Sequence, residues 1–170
     1  MIAFLTSSPA VGQDHTRLNP ANGLVSELEK VMPRPARGLF VCSDPDDFAF
    51  TDRFAGEMFA AFENAGFPVP LRSVLDHRNP EMAAELVKAA DLIILAGGPT
   101  LAQNRFFQEV RLREAMAGFG GVVLGISAGT MNSAATVYVQ PELPGETRPE
   151  HPRFLPGLGI THAQVLPHYQ

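Results

Sequence analysis

Short apolar runs alternate with amphipathic stretches along most of the chain. Ile2 to Leu5 reads as a strand, and Leu24 to Val31 predicts a short helix with Leu24, Val25, Leu28 and Val31 on one side. Gly38 to Cys42 is a second strand. Phe54, Met58, Phe59 and Phe62 follow helical spacing, with Thr51 or Asp52 placed to cap the start and Gly66 to end the helix. Val69 to Leu75 predicts a third strand, weakened in its first half by Pro68 and Pro70. Asn79-Pro80 opens a helix over Met82, Leu86 and Val87, because proline suits the first helical position. Leu92 to Ala96 is the clearest strand, ended by Gly97-Gly98-Pro99. A helix over roughly Leu101 to Ala117 follows, and then the apolar strand Gly121 to Ile126. Runs that are apolar on both faces suit a parallel sheet covered from both sides. The fold class expected is α/β: a doubly wound, mostly parallel sheet with helices on both faces.

Beyond residue 140 the texture changes. Pro141, Pro144, Pro149, Pro152 and Pro156 punctuate a polar loop, Ile160 to Leu166 predicts a last strand, and Pro167-His168-Tyr169-Gln170 follows. The length of 170 residues suits one domain over 1–170, with the natural protein expected to continue past Gln170. Apolar residues at 45% and charged residues at 18% exclude wholesale disorder. A net charge of −5 without a basic run argues against a nucleic-acid partner. No apolar run reaches the roughly eighteen residues of a membrane span. The start, Met1 to Pro9, has no basic leader, and the single cysteine, Cys42, fits a reducing compartment. These features predict a cytoplasmic protein with no membrane partner, and a homo-oligomer is compatible with them.

Candidate chemistry centres on Gly125-Ile126-Ser127-Ala128-Gly129. This G-x-S-x-G sits between an apolar strand and a helix-compatible stretch, as in a nucleophile elbow. There a tight turn lifts the serine hydroxyl above the sheet, and the next amide points to where an oxyanion forms. A helix-capping serine is the plainer reading, but it leaves both glycines unexplained. Gly97-Gly98-Pro99-Thr100 sits at the carboxyl end of another strand, the edge where open α/β sheets bind ligands, and could supply a second oxyanion donor. Its plainer reading is a glycine turn with Thr100 capping a helix.

A hydroxyl nucleophile needs a base and an orienting acid. The histidines are His15, His77, His151, His162 and His168, and the acids downstream of the serine are Glu142, Glu146 and Glu150. His168 lies just past a predicted strand, but spacing alone does not choose the acid. Cys42 reads as a small buried residue. Asp44, Asp46 and Asp47 read as a solvated turn, lacking the glycine and terminal glutamate of a calcium loop. The histidines are scattered and no zinc spacing occurs. The glycine turn lacks the lysine of a phosphate loop. No metal and no cofactor is expected.

Gly97-Gly98-Pro99-Thr100, Gly125-Ile126-Ser127-Ala128-Gly129 and Pro167-His168-Tyr169, in this order, resemble the three signatures of the peptidase E family of serine peptidases. That family includes aspartyl dipeptidases and cyanophycinases, and its fold is similar to that of the class I glutamine amidotransferases. The resemblance runs from about Leu92 to Gln170. It implies a single peptidase-like domain acting on a small peptide, with Ser127 as nucleophile and His168 as general base. It further implies Glu142 as orienting acid and the amides of Gly98 and Ala128 as oxyanion donors. It also implies either preference for an acidic residue on the amino side of the cleaved bond or cleavage of aspartate-based polymers, with Arg105, Arg148 and Arg153 as candidate partners of such a carboxylate. This sequence departs from the family at Pro99, where asparagine is frequent, and at Glu142, where aspartate is.

Gln103, Asn104 and Asn132 are candidate substrate-binding residues beside these turns, with Asn132 alternatively bracing the neighbouring loop. Two rival readings stand. One is an α/β-hydrolase-type esterase, disfavoured because the upstream loop is Gly-Gly-Pro-Thr. The other is a catalytically silent amidotransferase-like binding domain.

Overall fold

The computed structural model describes residues 1–12, 14–139 and 153–165. The chain begins with β1 (Ile2–Thr6), followed by a small hairpin of β2 (Ala10–Val11) and β3 (Arg17–Leu18). Then come α1 (Leu24–Val31), β4 (Arg37–Val41), α2 (Phe48–Asn64), β5 (Leu71–Leu75), α3 (Ala83–Ala89) and β6 (Leu92–Leu95). Next are α4 (Thr100–Glu109), α5 (Leu112–Ala115), β7 (Val122–Ile126) and α6 (Ala128–Asn132). The antiparallel pair β8 (Thr136–Tyr138) and β9 (Phe154–Pro156) completes the described elements.

The central sheet runs β1-β7-β6-β4-β5, and every neighbouring pair is parallel. Alternation within its strands divides the core in two, because successive side chains point to opposite faces. Phe40, Leu92, Ile94, Val122 and Leu124 pack with Leu28 of α1 and with Met58, Phe59 and Phe62 of α2. Leu39, Val41, Ile93, Leu95 and Val123 pack with Val87 of α3, Phe106 and Phe107 of α4 and Leu112 of α5. The apolar runs of β6 and β7 are thus the sequence image of burial on both faces. The connections leaving β4 and β6, which are neighbours, go to opposite faces. A crevice therefore opens at their carboxyl ends, where doubly wound sheets bind ligands.

Three expectations change at the boundaries. The helix after β4 starts at Phe48, with the Asp47 carboxylate accepting from the Phe50 amide at 3.0 Å, so neither Thr51 nor Asp52 is the cap. The apolar periodicity began only at Phe54 because the first turn faces outward; the end at Gly66 (φ +86°) is as expected. The single helix expected over Leu101 to Ala117 is two, broken where Arg111 takes a left-handed conformation (φ 51°).

The third change is larger. Ile160–Val165 forms no strand; its one ladder contact is a bridge from Thr161 to Ala134. The amides of Leu158, Gly159 and Ile160 instead donate to the carbonyls of Asn132, Ala134 and Ser133 at 2.8–3.2 Å. This segment satisfies the orphan carbonyls at the end of α6, and it does so in place of a sheet ladder. Among the described residues no helix is long and apolar enough to cross a membrane.

At the carboxyl edge His77 sits against the Phe106 ring edge, with Nδ1 2.8 Å from Asp46 and Nε2 3.3 Å from Glu109. Its hydrogen bond to Asp46, seconded by Glu109, raises its pKa above the usual 6.5. The imidazolium is therefore favoured in the folded chain. Its stabilisation is complete below the unfolded value and is lost as pH rises through the raised folded value. His77→Gln is expected to flatten stability against pH across that window, read by urea unfolding from pH 5.5 to 8.5 and by the NMR titration of the ring. A histidine titrating at or below the unperturbed value would contradict the pairing.

Candidate active site

Ser127 is held in a backbone conformation that side chains rarely adopt, with φ 46° and ψ −105°. Three contacts impose it. The Ser127 amide donates to the Thr6 carbonyl at 2.9 Å, continuing the β1–β7 ladder by one rung. The Gly129 amide donates to the Ala96 carbonyl at 3.1 Å, and that of Met131 to the Ser127 carbonyl at 3.0 Å, so the helix starts at once. Thr130 locks the turn from below: its hydroxyl donates to the Thr6 carbonyl at 2.8 Å and accepts from the Thr6 amide at 3.0 Å.

The two flanking glycines are needed for space. A methyl on Gly129 would collide with the Leu95 carbonyl, its carbon only 2.7 Å away, and one on Gly125 would lie 3.0 Å from the Thr130 hydroxyl. The Ser127 side chain caps no helix amide, and the residue is exposed. The helix-capping reading of this serine therefore fails. The geometry is that of an elbow presenting an exposed serine.

The Gly97-Gly98 turn lies against this elbow. A methyl on Gly97 would sit 3.5 Å from Ser127 Cβ and 3.4 Å from the Ile126 carbonyl. Gly98 adopts φ 149°, and a methyl there would collide with the Ser43 hydroxyl and lie 2.8 Å from Ser43 Cβ. Ser43 follows β4 and is buried, its hydroxyl without a hydrogen-bond partner among the described residues. The sheet thus brings together Ser127, Ala128 and the Gly97-Gly98 turn from the ends of β7 and β6. Ala128 is the first residue of α6, so its amide has no partner within the helix.

Gln103, Asn104 and Asn132 are buried and joined in one amide network. The Asn132 amide nitrogen donates to the Thr100 carbonyl at 3.1 Å and to Gln103 Oε1 at 3.0 Å. Asn132 Oδ1 accepts from Asn104 at 2.9 Å, and Asn104 also donates to the Pro156 carbonyl at 2.9 Å. Gln103 Nε2 donates to the carbonyls of Ala96 (2.8 Å) and Cys42 (3.2 Å). These side chains tie the ends of β4 and β6, the start of α4, the elbow helix and β9 to one another. In this conformation they brace the two turns, as suspected for Asn132 alone. Asn132→Leu removes three hydrogen bonds and leaves the buried Gln103 Oε1 without its partner, at about 1–3 kcal/mol for such a group. A loss of about 1–3 kcal/mol is expected in urea unfolding; an unchanged or raised stability would contradict the bracing role.

The other named residues separate. His77 belongs to the Asp46–Glu109 cluster, and His15 stands 3.6 Å from Glu57. His162 is exposed on the segment that fails to form a strand. Cys42 is buried, and desolvation, helped by the negative charges of Asp76 and Asp44, pushes its thiol well above the usual range, which disfavours the reactive thiolate. Asp76, which no sequence signal marked, is buried and paired with Arg78, which also holds Asp52 at 2.5 Å. Among the described residues no group of three or more His, Cys, Asp or Glu side chains converges as a metal site would require.

The model of peptidase family S51 matches residues 18–170. The chain belongs to this family. It is a serine-type peptidase by that membership. A peptidase E protein assigned as such from Listeria monocytogenes EGD-e shares the fold, with a TM-score of 0.61 and 17% identity over 85% of this chain and 72% of that one. No curated protein matches the chain. Two residues expected in the site of this S51 peptidase, Glu142 and His168, lie outside the described residues, as does Arg148; Arg105 and Arg153 are both exposed.

Proposed function

We propose that residues 1–170 form one α/β peptidase domain that hydrolyses small peptides through an acyl-enzyme on Ser127. The observation that carries this reading is the strained, exposed Ser127 packed against the Gly97-Gly98 turn. Ser127 Oγ attacks the peptide carbonyl carbon, and its proton passes to the His168 imidazole. Glu142 holds the imidazole in the right tautomer and offsets its charge once protonated. The amides of Gly98 and Ala128 donate to the tetrahedral oxyanion, which collapses to expel the amine with the proton held by His168. Water, deprotonated by the same imidazole, then cleaves the ester and frees the acid.

The substrate assigned is a dipeptide or short peptide with an acidic residue on the amino side, its carboxylate met by an arginine such as Arg105, Arg148 or Arg153. A panel of X-Leu dipeptides tests this. Asp-Leu and Glu-Leu are expected to be cleaved at least tenfold faster than Asn-Leu, Ala-Leu and Lys-Leu. Equal rates across the panel would remove the acidic preference. Cleavage of short esters with none of any peptide would favour the esterase, and no turnover at all the silent binding domain.

A further inference from the structure

A cavity of about 440 Å³ opens beside the elbow, lined by Phe50, Phe54 and Met58 of α2, by Ser8 to Ala10, and by Ile126. Its size falls in the range of about 300–1,000 Å³ typical of small-ligand sites. Two of its walls are fixed directly to the nucleophile's backbone. Ile126 precedes Ser127, and Ser8 lies two residues past Thr6, whose carbonyl accepts from the Ser127 amide. Ile126 is shared with the glycine turn: its Cγ2 lies 3.3 Å from where a methyl on Gly97 would sit, so the cavity and the Gly97-Gly98 turn have a wall in common. A peptide whose carbonyl oxygen points to the glycine turn therefore has substituents able to reach the cavity.

The lining decides what it takes. Phe50, Phe54, Met58, Pro9, Ala10 and Ile126 are apolar. Among the described residues at its rim the one full cation is already paired: Glu57 lies 3.8 Å from Arg53 Nε and 3.6 Å from His15 Nδ1. Arg53 also lies over the Phe50 ring, 5.5 Å from its centre. A carboxylate entering would meet Glu57, which already pairs with Arg53, whereas a hydrocarbon side chain gains contact with the six apolar residues.

We infer that this cavity is a specificity pocket for a bulky apolar side chain of the substrate. The inference rests on the proposed reading, in which an acidic residue occupies the amino side, so the pocket takes the residue on the carboxyl side of the cleaved bond. The hairpin β2–β3, with Gly12 at φ 91° and His15 at φ 51°, carries one rim of it.

The test is the series Asp-Gly, Asp-Ala, Asp-Leu and Asp-Phe. In the unmodified protein kcat/KM is expected to rise about tenfold or more from Asp-Gly to Asp-Leu or Asp-Phe. Ser8→Trp, at the exposed mouth, is expected to flatten the series by filling the pocket, and Phe50→Ala to weaken it by removing a wall. A second readout does not depend on turnover: calorimetric titration of the Ser127→Ala chain, where Asp-Phe should bind about tenfold more tightly than Asp-Gly. Ratios unchanged by both variants, or equal or absent binding of the two dipeptides, would overturn the pocket. Should the series be cleaved with no dependence on the second residue, the pocket falls while Ser127 stands. Should Ser127→Ala cleave as well as the unmodified protein, the reading beneath it falls instead.

Discussion

Ser127→Ala is expected to lower kcat/KM for peptide hydrolysis by roughly 10³-fold or more while leaving the fold intact. The side chain caps nothing and is exposed, so its removal costs the folded chain little. The strain lies in the backbone, since φ 46° with ψ −105° is sparsely populated for any residue with a Cβ, at a cost of order 1–3 kcal/mol. Ser127→Gly should therefore be as inactive as the alanine variant yet more stable than the unmodified protein, by about 1 kcal/mol. Unfolding midpoints in urea read this directly. Strain relieved by the change that abolishes activity is what a functional elbow predicts. A structural serine predicts that both substitutions destabilise.

Gly98→Ala is expected to lower kcat by about 10²–10³-fold, the usual consequence of losing one oxyanion donor. Two effects act together. At φ 149° a side chain is strained, and the new methyl would collide with Ser43, whose Cβ would be 2.8 Å away. The backbone must rotate, and the Gly98 amide then no longer points to the developing charge. Ser43→Gly removes the hydroxyl and the Cβ and so clears the space. The double variant Gly98→Ala/Ser43→Gly should regain part of the lost kcat, with KM changing little in either variant. Equal kcat in Gly98→Ala and the unmodified protein would remove Gly98 from the oxyanion site.

How much of this was legible from the residues depends on the range of the forces concerned. β6 and β7 were placed within a residue of their bounds, because strands buried on both faces leave uninterrupted apolar runs. The elbow was legible because its requirements are local: a glycine on each side of a serine between a strand and a helix. The break at Arg111 was not, since Leu112 stays buried and the apolar rhythm passes through it undisturbed. The run from Ile160 misled because a strand needs a neighbour, and here the end of α6 competes for the same amides. Gln103, Asn104 and Asn132 were noticed for their polarity beside the turns. That their amides would meet one another depends on contacts across 28 or 29 residues, which no pattern in the chain announces. The cavity beside the elbow joins segments from the first turn, α2 and β7, and it is invisible for the same reason.

The central claim is that the Ser127 hydroxyl is the nucleophile at the carboxyl edge of β7. Incubation with a fluorophosphonate, followed by mass spectrometry of the digested chain, measures this most directly. A single stoichiometric adduct on Ser127, absent from Ser127→Ala and formed far more slowly in His168→Ala, is the result expected. An adduct on another residue, or continued peptide turnover by a chain fully modified elsewhere and free of label at Ser127, would contradict it.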